Sequence, residues 1–360
     1  MGAVLSRVLG GIGRVLIFAG VVLLLFVGYQ LWGTALDERG HQADLTQEFG
    51  DELGDELGID EAKAKDTAAL AKQIIGALAK QEPRTAPPLE TPAEGEPVGF
   101  IEIPKIDLEA KSFVEGVSKA DLRKGPGHYP GTPFPGNAGN AGIAGHRTTY
   151  GAPFNRIDEL VPGDDIVVYT AQGRFIYEVT ESPESRRSGP ENENWGQGWY
   201  AVRPSDVSVL DQTGENMITL TACHPKRSAR YRIIVHARLV AEPAPSPVAT
   251  LDADGTPANS ETVGLDPAEA ADAEADAIEE EPTGSATSEA DLIGGDPDEL
   301  RPALGWFALV AGIWVGSMAL AAFIRRRRTR AWWVYPFTVA LSAYPLWLSF
   351  LHMDRFLPSF

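Results

Sequence analysis

The stretch "ITLTACHPKRSARYRIIVHARL", Ile218 to Leu239, holds the only cysteine of the 360-residue chain. Cys223 is followed directly by His224 and then by three arginines before an apolar run resumes. A lone cysteine is most often an inert, buried small hydrophobe. A thiol beside cationic side chains can instead ionise and act as a nucleophile. The stretch therefore allows two interpretations, a core cysteine or a reactive one.

The alternation of residue types around the thiol favours the reactive interpretation. Successive side chains of a strand point to opposite faces, and Cys223 does not share the parity of the apolar residues at 218, 220 and 222. In the next apolar run, Arg230 and Arg232 also have the non-core parity. If the two strands pair antiparallel, an arginine can lie close to the thiol. A single cysteine also cannot form a disulfide within its own chain.

Three histidines are candidates to assist the thiol. His146 lies in "GNAGIAGHRTTYGAPF" and His128 lies in "GPGHYPGT", both well upstream of the thiol. His224 adjoins Cys223, but adjacent side chains of an extended chain point apart. The residue types alone do not rank His146 above His128.

Three apolar segments are long enough to cross a bilayer, at residues 15–32, 303–324 and 331–351. We interpret the first as an uncleaved anchor, because no small-residue cleavage site clearly follows it. Arg7 and Arg14 precede it, and the basic run "RRRRTR" at 325–330 separates the other two. The positive-inside rule predicts a cytoplasmic N-terminus (residues 1–14), an exported part at 33–301 and a cytoplasmic turn at 325–330.

The exported part divides by composition into three regions. Residues 33–96 are rich in Asp, Glu, Ala and Gly and are predicted to form a stalk with one amphipathic helix near 62–79. Residues 97–241 contain short apolar runs bounded by Gly, Pro and Asp, such as "GDDIVVYTA" and "YRIIVHARLV", which predict an all-β sandwich or barrel. Residues 242–301 are predicted to be a disordered acidic linker. The 16 acidic residues and absence of Lys and Arg between 251 and 300 explain most of the net charge of −19.

Two separated motifs resemble those of the sortases, most of all class E: "GPGHYPGTPFPGNAGNAGIAGHRTTYGAPF" from Gly125 and "ITLTACHPKRSARYRIIVHA" from Ile218. The resemblance implies an all-β fold, a sortase-type eight-stranded β-barrel, here with one N-terminal and two C-terminal transmembrane helices. It places the catalytic residues at His146, Cys223 and Arg232. Contacts to the substrate are expected from Tyr129 and Thr221.

The resemblance also implies a function. A sortase is a cysteine transpeptidase that cleaves a C-terminal sorting signal between Thr and Gly and joins the protein to a cell-wall peptide amine. The expected partners are proteins bearing Leu-Pro-x-Thr-Gly or Leu-Ala-x-Thr-Gly signals, a peptidoglycan precursor or wall peptide, and the plasma membrane. No cofactor, metal or nucleic acid is expected. The family pattern has Thr before the nucleophile, whereas this chain has Ala222, so any hydroxyl contribution from that position is missing.

Two alternatives remain open from the sequence. One is a pilin-polymerising, class C-like sortase, although "PPLETPAEGEPVGF" lacks the Asp-Pro-aromatic lid motif usual in that class. The other is a catalytically silent wall-binding scaffold that has kept the barrel.

Overall fold

The computed structural model describes residues 13, 17–59, 64–83, 89, 91–186, 195–245, 297–326 and 333–356. The chain separates into two compact units. The described residues of Met1–Thr34 and Ile293–Ser359 form one unit, and those of Ala35–Leu292 form the other.

The second unit is built around nine strands. These are β1 (Pro97–Ile103), β2 (Leu108–Glu115), β3 (Gly127–His128), β4 (Asn140–Ala144), β5 (Asp165–Thr170), β6 (Gly173–Val179), β7 (Tyr200–Val202), β8 (Met217–His224) and β9 (Tyr231–Leu239). Their order in the sheet is β6-β5-β1-β2-β3-β4-β8-β9-β7, and β6 also pairs with β9. The β6–β9 pairing closes eight strands into a barrel, and β7 is an added strand on β9. The predicted eight-stranded β-barrel is therefore confirmed.

The barrel interior is filled by the apolar parity of each strand. Ile218, Leu220 and Ala222 of β8 lie in the main hydrophobic core, at 0%, 0% and 3% exposure. Ile233 and Val235 of β9 lie in the same core. The alternation predicted for both strands is confirmed, and it assigns the residues of opposite parity to the outer face of the barrel wall.

Two helices cover the outside of β1 and β5. These are α2 (Thr34–Leu57) and α3 (Thr67–Leu78). The Asp66 side chain caps α3 by accepting a hydrogen bond from the Ala69 backbone N–H at 2.9 Å. Apolar residues of both helices pack with residues of β1 and β5 in a second core, and its buried members are Phe49, Leu53, Leu70, Ala71, Ile74, Leu78, Phe100, Val167 and Tyr169. The amphipathic helix predicted near 62–79 is confirmed as α3. The segment predicted as a stalk also contains α2, and both helices are packed on the barrel.

Polar contacts join α2 to the edge of β2. The Gln42 side chain donates to the carbonyl oxygen of Ser112 at 2.8 Å and accepts from the Ser112 backbone N–H at 2.9 Å. Glu38 forms a nearly buried ion pair with Lys111 at 2.6 Å, and burial raises the pKa of the Glu38 carboxyl. These contacts fix the position of α2 on the barrel as well as its packing.

The first unit consists of apolar helices. They are α1 (Ile17–Gly28), which continues as a π-helix at Tyr29–Gly33, α5 (Leu300–Arg326) and α6 (Val334–Phe356); the short α4 (Lys119–Lys124) belongs to the barrel unit. Within the first unit, Phe26 contacts Phe350 at 5.3 Å between ring centroids, and the Ser349 hydroxyl donates to the carbonyl oxygen of Ala303 at 3.0 Å.

The predicted spans at 303–324 and 331–351 correspond to α5 and α6, which are long and apolar enough to cross a membrane, with mean hydropathies of 2.2 and 1.3. At the predicted span 15–32 the described apolar helix covers only Ile17–Gly28, which is shorter than such a span. Residues 246–296 and 327–330 lie outside the described residues, and they include most of the predicted linker and basic turn.

Candidate active site

Strands β4, β8 and β9 bring the three predicted catalytic residues to one end of the barrel. β4 pairs parallel with β8 up to Ala144 and Thr221, and the Gly145 N–H still donates to the Thr221 carbonyl at 3.0 Å. His146 and Cys223 each lie two residues beyond that last pair, at the same end of the two strands; Cys223 is still within β8, whereas His146 lies just past the end of β4. Cys223 is also paired directly with Arg232 across the antiparallel β8–β9 ladder.

Cys223 is half-buried, and its neighbour Ala222 faces the opposite side of β8. Ala222 is 3% exposed and belongs to the main core. A hydroxyl at position 222 would therefore face apolar side chains inside the barrel and not the thiol. The departure from the family pattern at this position leaves the groove face of β8 unchanged.

His146 is buried, and one of its ring nitrogens has no hydrogen-bond partner among the described residues. It is 6% exposed, its ring lies 5.2 Å from that of Tyr150, and the unpartnered nitrogen is Nε2. Burial, together with the positive charge of Arg123, lowers the pKa of His146 to about 4. His146 is thus neutral at pH 7 and has a ring nitrogen free to take a proton.

His128 is engaged in the barrel wall. It is 1% exposed, and its Nδ1 lies 2.7 Å from a carboxylate oxygen of Glu115. Its Nε2 lies 3.0 Å from the carbonyl oxygen of Pro133 and 3.0 Å from the hydroxyl of Thr132. Both ring nitrogens therefore have structural partners.

His224 points away from the thiol, as its parity predicts. Its Nδ1 accepts a hydrogen bond from the guanidinium of Arg147 at 2.7 Å, and its ring lies 5.5 Å from that of Trp199. Burial and the charge of Arg147 lower the pKa of His224. Of the three candidates, His146 is the one with a fully buried ring nitrogen that has no hydrogen-bond partner among the described residues.

The two predicted substrate-contacting residues meet beside this trio. The hydroxyls of Tyr129 and Thr221 are 2.9 Å apart. Burial raises the pKa of the Tyr129 hydroxyl, which keeps it protonated. Both residues line a cavity of about 120 Å³ whose wall also includes Arg232. A small pocket next to the thiol strand thus combines the cation of Arg232, the carboxylate of Asp206, three hydroxyl-bearing residues and apolar surface.

Sequence reasoning missed the segment that forms the opposite wall of this cavity, residues 202–210. Asp206 is held there by Arg186 at 2.6 Å, and the Ser208 hydroxyl donates to Asp206 at 2.5 Å. The string "VRPSDVSVL" shows no regular spacing of apolar residues that would have predicted its place in the wall of the cavity. Within the described part of the chain, no cluster of His, Cys, Asp or Glu could hold a metal ion.

A closed β-barrel with a half-buried thiol, an imidazole and a guanidinium at one end is the arrangement of a thiol enzyme. The Sortase domain family matches residues 101–240. The chain is 35% identical over 246 residues to Sortase SrtE1 of Streptomyces coelicolor, covering 64% of this chain and 57% of that protein. The chain therefore belongs to the sortase family, and class E sortases are among its relatives.

Solved sortase structures are also similar to this chain. The SrtF sortase from Corynebacterium diphtheriae is 32% identical, over 48% of this chain and 97% of that one, with a TM-score of 0.38. Sortase E from Streptomyces avermitilis is 32% identical, over 42% of this chain and 91% of that one, with a TM-score of 0.33. The present chain spans only 57% of the length of Streptomyces coelicolor SrtE1.

Proposed function

We propose that this protein is a membrane-anchored sortase that uses Cys223, His146 and Arg232 to cleave and transfer C-terminal sorting signals. The observation that supports this most strongly is the β4–β8–β9 register. In this register, His146, whose Nε2 is unpartnered among the described residues, follows the end of one neighbour of the cysteine strand, and Arg232 lies on the other neighbour. The silent-scaffold alternative has no comparable use for this arrangement.

In the first half-reaction, the Cys223 sulfur attacks the carbonyl carbon of the Thr–Gly bond. A cysteine thiol ordinarily holds its proton at neutral pH, so a base must accept that proton as the S–C bond forms. His146 is neutral at pH 7 and has an unpartnered Nε2, which suits it to this step. The resulting imidazolium then gives the proton to the leaving glycine amine, and a thioester remains on Cys223.

Arg232 is proposed to stabilise the negative charge that develops on the carbonyl oxygen. Its Nη1 donates to the carbonyl oxygens of Ala229 at 3.1 Å and Tyr231 at 3.3 Å, and these contacts orient the guanidinium. Fixed donors aimed at a developing oxyanion are effective because they need little rearrangement during the reaction. The adjoining cavity, with Tyr129 and Thr221 in its wall, is the proposed site for a residue of the sorting signal.

In the second half-reaction, an incoming amine attacks the thioester carbon and neutral His146 takes its proton; the S–C bond breaks and the imidazolium returns that proton to the departing Cys223 sulfur, which restores the thiol and the neutral imidazole. The acceptor is proposed to be a cell-wall peptide or peptidoglycan-precursor amine. The signal is proposed to be of the Leu-Pro-x-Thr-Gly type or the Leu-Ala-x-Thr-Gly type. The reaction needs no cofactor.

The proposed membrane arrangement follows from the arginines around each apolar segment. The N-terminus and residues 325–330 are on the cytoplasmic side, and the barrel, within residues 97–241, is outside. The apolar helices α5 and α6 then hold the enzyme at the plasma membrane, where secreted substrates and lipid-linked wall precursors meet.

The test is peptide cleavage by the full chain in detergent micelles. Peptides with each signal type are incubated with the wild type and with Cys223→Ala, and the products are separated by chromatography. The wild type should cut between Thr and Gly, and Cys223→Ala should be inactive with an unchanged melting temperature, because the thiol lies outside the main core. Comparable cleavage by both proteins would refute the proposal.

A further inference from the structure

Arg147 is an unusual buried residue next to the proposed catalytic histidine. It is 1% exposed and is among the largest fully buried side chains of the described chain. A buried guanidinium is costly unless charged and polar partners surround it. The partners of Arg147 therefore indicate what holds it in the barrel.

The guanidinium of Arg147 reaches two other parts of the chain, Asp158 and the end of β8. Its Nη2 forms an ion pair with Asp158 at 2.9 Å. Its Nη1 donates to Nδ1 of His224 at 2.7 Å and to the carbonyl oxygen of Cys223 at 3.4 Å. A planar fork can hold such divergent acceptors at once, whereas a lysine ammonium cannot reproduce the geometry.

The backbone around Arg147 is fixed as well. The Asn155 side chain donates to the Arg147 carbonyl oxygen at 2.7 Å, and the Phe154 N–H donates to the His146 carbonyl oxygen at 3.1 Å. The segment after β4 is thereby folded back on itself. Because the Arg147 side chain is anchored, it can fix the position of the residue directly before it, His146.

His146 needs such a brace because it lies past the end of the β4–β8 ladder. The last parallel pair is Ala144 with Thr221, and the last ladder hydrogen bond comes from Gly145. Beyond that point, the described contact that ties the His146 segment to the end of β8 is the Arg147 guanidinium.

We propose that Arg147 is a positioning residue, which holds the segment carrying His146 against the end of β8 and so sets the separation of His146 from Cys223. The inference rests on the proposed function of that pair. Asp158 is the counter-ion that keeps the buried fork in place. His224, directly after the nucleophile, serves this brace as a neutral acceptor.

The separation can be measured without activity, because Cys223 is the only cysteine. In His146→Cys, the chain carries two thiols, each two residues beyond the last β4–β8 pair, and their tendency to form a disulfide reports their separation. The effective concentration of the thiol pair is read by equilibrating the full chain in glutathione redox buffers and quantifying the disulfide by mass spectrometry. Adding Arg147→Lys should lower that effective concentration at least about tenfold.

A matched control is available in the same segment. Arg156 is also paired with carboxylates, Asp107 and Glu159, but its side chain is 39% exposed. Arg156→Lys in the His146→Cys background should leave the effective concentration within about twofold, since exposed pairs contribute little. Asp158→Asn is the second test variant if Arg147→Lys fails to fold, and it should change the value in the same direction.

A kinetic measurement on the otherwise native chain gives a second readout. Arg147→Lys should lower kcat at least about tenfold and change KM by no more than about threefold, with the protein folded at the assay temperature. Equal effective concentrations and an unchanged kcat in Arg147→Lys and Arg156→Lys would overturn the inference. A wild type that cleaves no peptide contradicts the proposed function instead, and the disulfide equilibrium still decides the role of Arg147.

Discussion

At the scale of single residues, the three candidate histidines differ in the hydrogen-bond partners of their ring nitrogens. His128 and His224 resemble His146 in being buried or nearly so, but their rings are tied to Glu115 and Arg147. The sequence could not reveal those contacts, because the partners lie 13 and 77 positions away. Only the family resemblance placed His146 above His128, and the geometry now provides a physical reason for that ranking.

Substitution of the three histidines should give unequal losses of activity. His146→Ala should reduce peptide cleavage nearly as severely as Cys223→Ala, because the proposed mechanism uses its ring nitrogen to exchange the thiol proton, whereas the rings of His128 and His224 are held by Glu115 and Arg147. His224→Ala and His128→Ala should cost less per folded molecule, although His128→Ala should lower the melting temperature by leaving Glu115 buried without its partner. The measurement is kcat/KM, corrected for the folded fraction by circular dichroism. A larger loss in His128→Ala or His224→Ala would show that the assignment of His146 is wrong.

Arg232 and Arg230 share a parity and offer a second contrast. Arg232 is paired with Cys223, whereas the Arg230 guanidinium lies over the Tyr231 ring at 5.2 Å. Arg232→Lys should lower turnover at least about tenfold, roughly 1.4 kcal/mol of transition-state stabilisation, with little change in melting temperature. Arg230→Lys should stay within a few-fold of the wild type. If Arg230→Lys loses more turnover than Arg232→Lys with the same peptide, the oxyanion role belongs to Arg230.

At the scale of elements, the strands with strong alternation were predictable and the others were not. The predicted runs that became β1, β5, β6, β8 and β9 contain several β-branched and aromatic residues each, whereas β2, Leu-Glu-Ala-Lys-Ser-Phe-Val-Glu, contains only two. β4 is Asn-Ala-Gly-Ile-Ala, a composition that disfavours strands, and its Gly142 is required by tertiary packing. A Cβ at position 142 would lie 2.8 Å from side-chain carbons of both Leu210 and Tyr129. Such a close approach cannot be read from the sequence alone.

Helix α2 was also missed, because its composition resembles that of a linker. It is acidic and contains Gly40, Gly50 and Gly54. The signal that could have revealed it is the spacing of four between Leu45, Phe49 and Leu53, which all are buried. A sparse apolar stripe is sufficient to hold a polar helix on the barrel when apolar residues of the strands, here Phe100, Val167 and Tyr169, pack against it.

The packing of α3 on the barrel predicts a stability effect from a residue far from the thiol. Ile74 is fully buried in the cluster with Phe100 and Val167, so Ile74→Ala should lower the free energy of unfolding by about 2–5 kcal/mol. Ile75 is only partly buried against the same cluster, and Ile75→Ala should cost clearly less. Chemical denaturation followed by circular dichroism measures both. Equal, small effects would mean that residues 33–96 behave as the detached stalk that their composition suggests.

At the scale of the whole molecule, the chain contains a β-barrel unit and a unit of apolar helices. The acidic excess that dominates the net charge is a property of the region between them and not of the barrel. Composition therefore predicted separate regions along the chain, whereas the proposed active site depends on strands that are distant in sequence and that pair in the barrel.

The proposed topology predicts which side of the membrane each region occupies. In a Cys223→Ala background, a cysteine introduced by Thr329→Cys should be protected from membrane-impermeant thiol reagents in intact cells, because arginines flank it on the cytoplasmic side. A cysteine introduced by Ser285→Cys should be labelled. The reverse labelling pattern would invert the membrane arrangement.

The central claim is that Cys223 carries the cleaved signal as a thioester. The full chain is incubated with Leu-Pro-x-Thr-Gly and Leu-Ala-x-Thr-Gly peptides without an acceptor amine, quenched in acid, digested and analysed by mass spectrometry. The account predicts that the fragment ending in Thr is attached to the digest peptide containing Cys223 and is released by hydroxylamine. Cleavage of the peptides with Cys223 unmodified at every time point, or with the fragment attached to another residue, would contradict it.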